Sequence, residues 1–226
     1  MKPPSIFNLL KKILNNKPSN SKHVEKLISS GVKIVDVNSV YIEESVEISP
    51  GSIILPSTFI MGNTNIKTDC VIGPNTTISN SNIAKGTKII YSIVTDSSIG
   101  ENNQIGPFAY IRESTSTLSN VEIGNFVDVK SSQIGKNSKS KHLAYIGDTE
   151  VSHNVNIGAG AVVANFDGKN KNKSSIQENV LLGSNSTIIS PVVISSNSII
   201  GAGAVVTKDV MSKEIVAGNP ARKLRK

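Results

Sequence analysis

Six aliphatic residues fall on a strict beat of six: Ile48, Ile54, Ile60, Ile66, Ile72 and Ile78. A second run, Ile176, Leu182, Ile188, Ile194, Ile200 and Val206, keeps the beat near the other end of the chain. Neither the helical period of 3.6 nor the strand period of 2 produces such spacing, so the chain reads as an internal repeat of very short strands joined by turns, stacked into a solenoid. Two residues before the aliphatic the side chain is small or β-branched (Ser52, Cys70, Thr76, Ala109, Val127, Ala161, Ser186, Ala204), as a narrow interior requires. The residue after it is often glycine (Gly73, Gly100, Gly106, Gly124, Gly147, Gly158, Gly183, Gly201), which reads as a tight turn using φ values that bulkier residues avoid.

The middle of the chain keeps the beat with slips, and the five-residue steps Ile78 to Ile83, Val129 to Ile134 and Ile146 to Val151 read as trimmed turns. Between Val163 and Ile176 the beat is lost. Residues Phe166 to Ser175, polar and carrying Gly168, are expected to leave the solenoid as a protruding loop, a common place for a binding site.

Length and composition fit one domain of 226 residues: a helical arm (1–30), a solenoid (31–210) and a basic C-terminal tail (211–226). The absence of Trp fits a core too narrow for large rings. No apolar run reaches the roughly 20 residues that span a bilayer, and the N-terminus carries no signal-peptide pattern, so a cytoplasmic location is expected. Cys70 occupies a small inward position and reads as a core thiol. The net charge of +7 resolves into +5 over residues 1–26 and +4 over residues 207–226, leaving the solenoid at −2. Basicity confined to the tails, with no interleaved aromatics, argues against nucleic acid. In the arm, Ile6, Phe7, Leu9, Leu10, Ile13 and Leu14 form an apolar stripe beside Lys11, Lys12 and Lys17. It reads as an end cap for the first coil rather than a membrane-surface helix. A second helical stretch, Val24 to Ile28, runs out at Ser29, Ser30 and Gly31, with Gly31 as its C′ residue.

The repeat resembles that of the hexapeptide-repeat acyltransferases, which implies an all-β fold, a left-handed parallel β-helix in which three hexapeptides make one triangular coil. Roughly nine coils stacked at about 4.8 Å would give a prism on the order of 40 Å long. Within that family the segments GPFAYIR (106–112), GNFVDVK (124–130), KHLAYIGD (141–148) and NVNIGAGAVVANFDGKNK (154–171) resemble one particular domain. It is the acetyltransferase domain of the bifunctional enzyme that acetylates glucosamine-1-phosphate and uridylylates the product toward UDP-N-acetylglucosamine. The similarity runs from about Gly31 to Val210.

The resemblance implies His142 as general base, and imidazole, with an unperturbed pKa of about 6.5, suits removal of a proton from an attacking amine. His23 and His153 read as incidental. It implies a sugar-phosphate site of Arg112, Lys130, Tyr145, Asn156 and Lys171, where a guanidinium fork and ammonium point charges suit a phosphate. For acetyl-CoA it implies Ala159, Asn165, Phe166, Ser184 and Ala202, with the Ala159 N–H facing the thioester oxygen. Direct transfer of this kind needs no acyl-enzyme and no metal. A homotrimer is implied too, because the family's CoA grooves form between neighbouring prisms.

Some positions depart from the pattern. Phe166 stands where the family usually has Tyr, Asp128 where it has Glu, and the segment Ala217 to Arg222 resembles the tails of other hexapeptide acetyltransferases. The chain has no room for the nucleotidyltransferase domain and no glycine-rich nucleotide loop, so uridylyl transfer is not expected of it. The expected activity is N-acetylation of glucosamine-1-phosphate or a close amino-sugar phosphate. The alternatives are acetylation of another, nucleotide-linked amino sugar, or a non-catalytic trimeric scaffold for a separate nucleotidyltransferase.

Overall fold

A computed structural model of the chain describes residues 21–224. The apolar stripe from Ile6 to Leu14 lies outside the described residues. The chain enters through helix α1 (Ser21–Ser29), whose Val24 and Leu27 are buried, with Leu27 joining the main core. The helix stops at Gly31, with φ of 99°. Val32 N–H donates to Leu27 O at 3.1 Å and Gly31 N–H to Ile28 O at 3.0 Å, the paired bonds of a Schellman cap, which needs a left-handed C′ residue.

From Lys33 onward the chain winds into a triangular prism with three walls, sheet A of twelve strands, sheet B of ten and sheet C of nine, parallel throughout except for the last strand of sheet A. Each wall recurs once per coil. Inward aliphatics stack directly, as Ile54 on Ile72, Ile72 on Ile89 and Ile89 on Ile105 in sheet A. The pairing offset is eighteen residues where three full hexapeptides intervene, and it falls to seventeen and sixteen in the second and third of these pairs. Corners therefore absorb the missing residues without disturbing the ladder. Ile54, Ile60, Ile66, Ile72, Ile78, Ile83 and Ile89 are fully buried, each burial contributing about 1.5–3 kcal/mol.

The small residues two positions earlier also point inward, and their hydroxyls stitch successive coils. Ser52 Oγ donates to Lys67 O (2.8 Å) and accepts from Cys70 N–H (3.1 Å). Asn103, fully buried, accepts from Val121 N–H at 2.7 Å and donates to Thr117 Oγ1 at 2.5 Å. Cys70 is a buried core thiol, pushed above its ordinary pKa by burial.

The glycines that follow the inward aliphatic correct the turn reading. Of the eight, Gly73 and Gly106 have positive φ, +100° and +104°. The others are required by space. A Cβ on Gly158 would sit 2.6 Å from Leu182 O, and one on Gly183 would sit 2.5 Å from Ala202 N. Asparagine takes nine of the 21 non-glycine left-handed positions among the described residues, and at the corner between sheets C and A the side chains of Asn120, Asn137, Asn154, Asn179 and Asn197 form a hydrogen-bonded ladder at 3.1–3.3 Å.

The interruption after Val163 is a loop, and it ends earlier than its sequence suggests. Ser174 and Ser175 belong to the strand Ser174–Ile176, because buried Ser174 fills the small inward position of that rung and bonds Ser190 Oγ at 2.7 Å. After Val210 the strand Ile215–Ala217 extends sheet A, and Arg222–Lys223 turns back antiparallel on it. Among the described residues, no helix is long and apolar enough to cross a membrane.

Candidate active site

The corner where sheet A turns into sheet B carries the candidate base. His142 ends the strand Lys139–His142, and its rung partner below is Asn125. His142 Nδ1 lies 2.6 Å from Asn125 Oδ1. With a carbonyl oxygen as partner, Nδ1 carries the hydrogen and Nε2 keeps its lone pair facing outward. Lys139 pairs with Asn156, Asn156 with Leu181 and Leu181 with Ile199. Three residues further along each rung stand His142, Ala159, Ser184 and Ala202, one above the other. Corner hydrogen bonds tie each member of the column to the residue just after the next one: Gly160 N–H to His142 O (3.3 Å), Asn185 N–H to Ala159 O (2.7 Å) and Gly203 N–H to Ser184 O (2.8 Å). Small side chains at these three positions leave a shallow track rising from the imidazole. Gly158, Gly160 and Ala161 each donate to a backbone carbonyl, whereas the Ala159 N–H has no such acceptor among the described residues.

The same corner below His142 bears Tyr91, Phe108, Phe126 and Leu143, all exposed and all with positive φ. The Phe108 and Phe126 rings stack with centroids 5.4 Å apart. Outward-facing apolar side chains in a conformation costly for bulky residues form a column left exposed by the described residues.

Sheet B holds the cations. Its register places Arg112 beside Lys130 and Lys130 beside Gly147. Arg112 makes a two-pronged bond to Asp128 (Nε to Oδ1 3.1 Å, Nη2 to Oδ2 2.8 Å), and its third nitrogen, Nη1, reaches Glu113 Oε1 at 2.7 Å. The other Glu113 oxygen meets Lys130 Nζ at 3.2 Å. Lys130 is 7% exposed. Hydrogen bonding between the Lys130 and Lys171 amines raises the first above the usual lysine range and lowers the second, and Glu113 adds to the rise at Lys130. Tyr145 lies along the wall over Gly147, where a Cβ would sit 2.5 Å from its phenol oxygen.

Lys171 arrives on the loop. Asp167 organises that segment by accepting from Lys169 N–H (2.8 Å), Asn170 N–H (2.7 Å) and Asn172 Nδ2 (3.0 Å), and these bonds lower its pKa from 3.8 to about 2. Buried Asn165 at the base of the loop donates to Asp148, while Phe166 is exposed and bridges to Lys171.

The residues expected to hold one ligand thus divide. Ala159, Ser184 and Ala202 follow His142 up the A/B corner, whereas Asn165 and Phe166 sit at the far edge of sheet B with Arg112, Lys130 and Lys171, and Tyr145 starts its strand at the near edge with its phenol oxygen close to Gly147. Asn156 is exposed on sheet A beside Lys139, on a different wall from both Arg112 and Lys130. Sequence reasoning missed Glu113 and Asn125. A signal for Asn125 existed, since residues one coil apart are neighbours and it precedes His142 by seventeen. Among the described residues, no cluster of three or more His, Cys, Asp or Glu is arranged to hold a metal ion.

A prism of hexapeptide coils, here with a basic cluster on one wall and a histidine at its corner, is the left-handed β-helix fold. The family model for bacterial transferase hexapeptides (six repeats) matches residues 173–208 of this chain. It is 47% identical over 186 residues to the bifunctional protein GlmU of Clostridioides difficile (strain 630), an alignment covering 82% of this chain and 40% of that one. The GlmU of Carboxydothermus hydrogenoformans is 41% identical over 194 residues, covering 86% of this chain and 44% of its own. The chain therefore spans less than half the length of these curated relatives. Among solved structures, the UDP-N-acetylglucosamine acyltransferase of Francisella novicida superposes with a TM-score of 0.58 at 20% identity, over 84% of this chain and 69% of that one.

Proposed function

We propose that this chain is an acetyl-CoA-dependent N-acetyltransferase whose acceptor is glucosamine-1-phosphate. The observation that carries this reading is the column Asn125, His142, Ala159, Ser184 and Ala202 at one corner, with Arg112, Lys130 and Lys171 across sheet B from it. The wall holds the phosphate, and Tyr145 contacts the sugar. The pantetheine arm lies along the small-residue track, so its thioester carbonyl comes against the Ala159 N–H. The acceptor amine attacks that carbon while His142 Nε2 takes its proton, and the Ala159 N–H stabilises the oxygen as negative charge develops. Collapse of the tetrahedral adduct breaks the C–S bond, and the departing sulfur of CoA receives the proton from His142. No covalent acyl-enzyme forms.

Asn156 on a separate wall and the uncovered aromatic column at the A/B corner support a trimer, in which a neighbouring prism completes the site. The kinship with GlmU over most of this chain supports the acceptor. The decisive experiment is a thiol-release assay with acetyl-CoA against amino sugars, amino-sugar phosphates and nucleotide-linked amino sugars. Turnover is expected with glucosamine-1-phosphate and not with glucosamine. Preference for a nucleotide-linked amino sugar would reassign the acceptor, and no acetyl transfer to any of them would remove the enzymatic reading.

A further inference from the structure

Glu113 stands where an anionic ligand would stand. Its carboxylate bridges the two cations best placed for a phosphate, with Oε1 on Arg112 Nη1 at 2.7 Å and Oε2 on Lys130 Nζ at 3.2 Å. Two oxygens on two separate cations is the pattern a phosphate monoester would make with the same pair. The residue sits on a two-residue left-handed turn, Glu113 and Ser114 with φ of 53° and 61°, which folds the side chain back over the wall. Its side chain is about a third exposed, so water can receive the carboxylate if it swings away. Asp128 differs, because it grips Arg112 in the plane of the guanidinium with both oxygens and leaves Nη1 for another partner.

Arg112, Lys130 and Lys171 face Asp128, Glu113 and Asp148, the last two acting on Lys171, so the formal charges of the six groups cancel. A neutral wall is a poor seat for a phosphate monoester, which carries close to two negative charges near neutral pH. Without the Glu113 charge the wall is positive. We propose that Glu113 is a specificity-determining residue, a tethered counter-anion that occupies the seat between Arg112 and Lys130 and that the ligand's phosphate displaces. Tethering gives it a high effective concentration, so a dianionic phosphate can compete while a free monocarboxylate cannot. Burial raises the Glu113 pKa, but the hydrogen bonds and charges of Lys130 and Arg112 outweigh that and hold it below the ordinary range, so the occupant is anionic at neutral pH.

This inference rests on the phosphate reading of the wall, and its test does not require turnover. Titration calorimetry with inorganic phosphate at pH 8 should give wild type a measurable Kd. Glu113→Gln should tighten it by about tenfold, the worth of one charge-assisted hydrogen bond no longer contested. Glu113→Ala, which empties the seat, should also bind acetate, whereas wild type should not. A purely structural role predicts the reverse, with disordered cations and weaker binding. Phosphate affinity unchanged or reduced in Glu113→Gln overturns the proposal. So does acetate binding to wild type as tightly as to Glu113→Ala. In the acetyl-transfer assay Glu113→Gln should lower KM for the phosphorylated acceptor at unchanged kcat. If wild type acetylates no amino-sugar phosphate, the acceptor reading fails, and the calorimetry still decides the role of Glu113.

Discussion

His142 Nδ1 and Asn125 Oδ1 are 2.6 Å apart, joined across one coil of the prism by residues seventeen positions apart in the chain. The amide oxygen fixes the tautomer in which Nε2 is the basic nitrogen, and it supports the ring when that nitrogen takes a proton. His142→Ala should lower kcat by roughly 10²–10⁴ with little change in acceptor KM, the usual contribution of a positioned base. Asn125→Ala should lower kcat by roughly 10–100-fold, the loss of one hydrogen bond to a charged group. Asn125→Asp should move the acidic limb of the pH–rate profile to higher pH, because a carboxylate favours the imidazolium and the reaction needs the neutral ring. Full turnover by His142→Ala would remove the assignment of the base.

Arg112 and Lys130 act on a group present in both ground and transition states. Arg112→Ala and Lys130→Ala should therefore raise KM for a phosphorylated acceptor and leave kcat nearly unchanged. Steady-state kinetics with phosphorylated and plain sugar check this, and equal discrimination by wild type and Arg112→Ala would move the phosphate elsewhere.

The track above His142 is walled by small side chains. Ser184→Leu places an isobutyl group in it, and the exposed position tolerates that in the folded state. KM for acetyl-CoA should rise by about tenfold or more, a loss of at least 1.4 kcal/mol of binding. Unchanged acetyl-CoA kinetics at an unchanged melting temperature would place the cosubstrate on another wall.

Phe126 is 57% exposed in a ring stack with Phe108. A trimer built across this corner should be lost in Phe126→Lys, which sets a charge in the middle of the apolar column. Light scattering should report a trimer for wild type and a monomer for the variant. Wild type that is monomeric across micromolar concentrations would sink the assembly.

Asp167 ties the loop that carries Lys171. A carboxyl whose pKa falls from 3.8 to about 2 on folding contributes order that is fully present above the unfolded value and is lost as pH falls toward the folded one. The Asp167 carboxyl should titrate near 2 by NMR. At neutral pH, Asp167→Ala should cleave faster with trypsin at Lys169, Lys171 and Lys173, and KM for the phosphorylated acceptor should rise. Tryptic resistance equal to that of wild type would show that the loop is held by other means.

Much of this molecule is legible along the chain. Inward aliphatics six apart, small residues two positions earlier and the lost beat after Val163 report the solenoid and its loop, because a strand of two or three residues leaves no freedom in what points inward. The helix stop at Gly31 is legible for a similar reason, since a Schellman cap needs a left-handed residue at one known position. The role of the glycines is not legible. Gly158 and Gly183 make no turn with positive φ, and the backbone of the next coil, some twenty residues later in the chain, forbids a side chain there.

The sequence by itself determined the repeat, the solenoid of short strands and the residue types available for acid–base and anion chemistry, all set by local spacing and side-chain size. Tertiary structure decided which of those residues meet. Register across coils, with offsets of sixteen to twenty-five residues, set Asn125 under His142, put Ser184 and Ala202 above it, and closed Glu113 over Arg112 and Lys130. Those contacts depend on how many residues each corner keeps, and they exist only once one coil is stacked on the next.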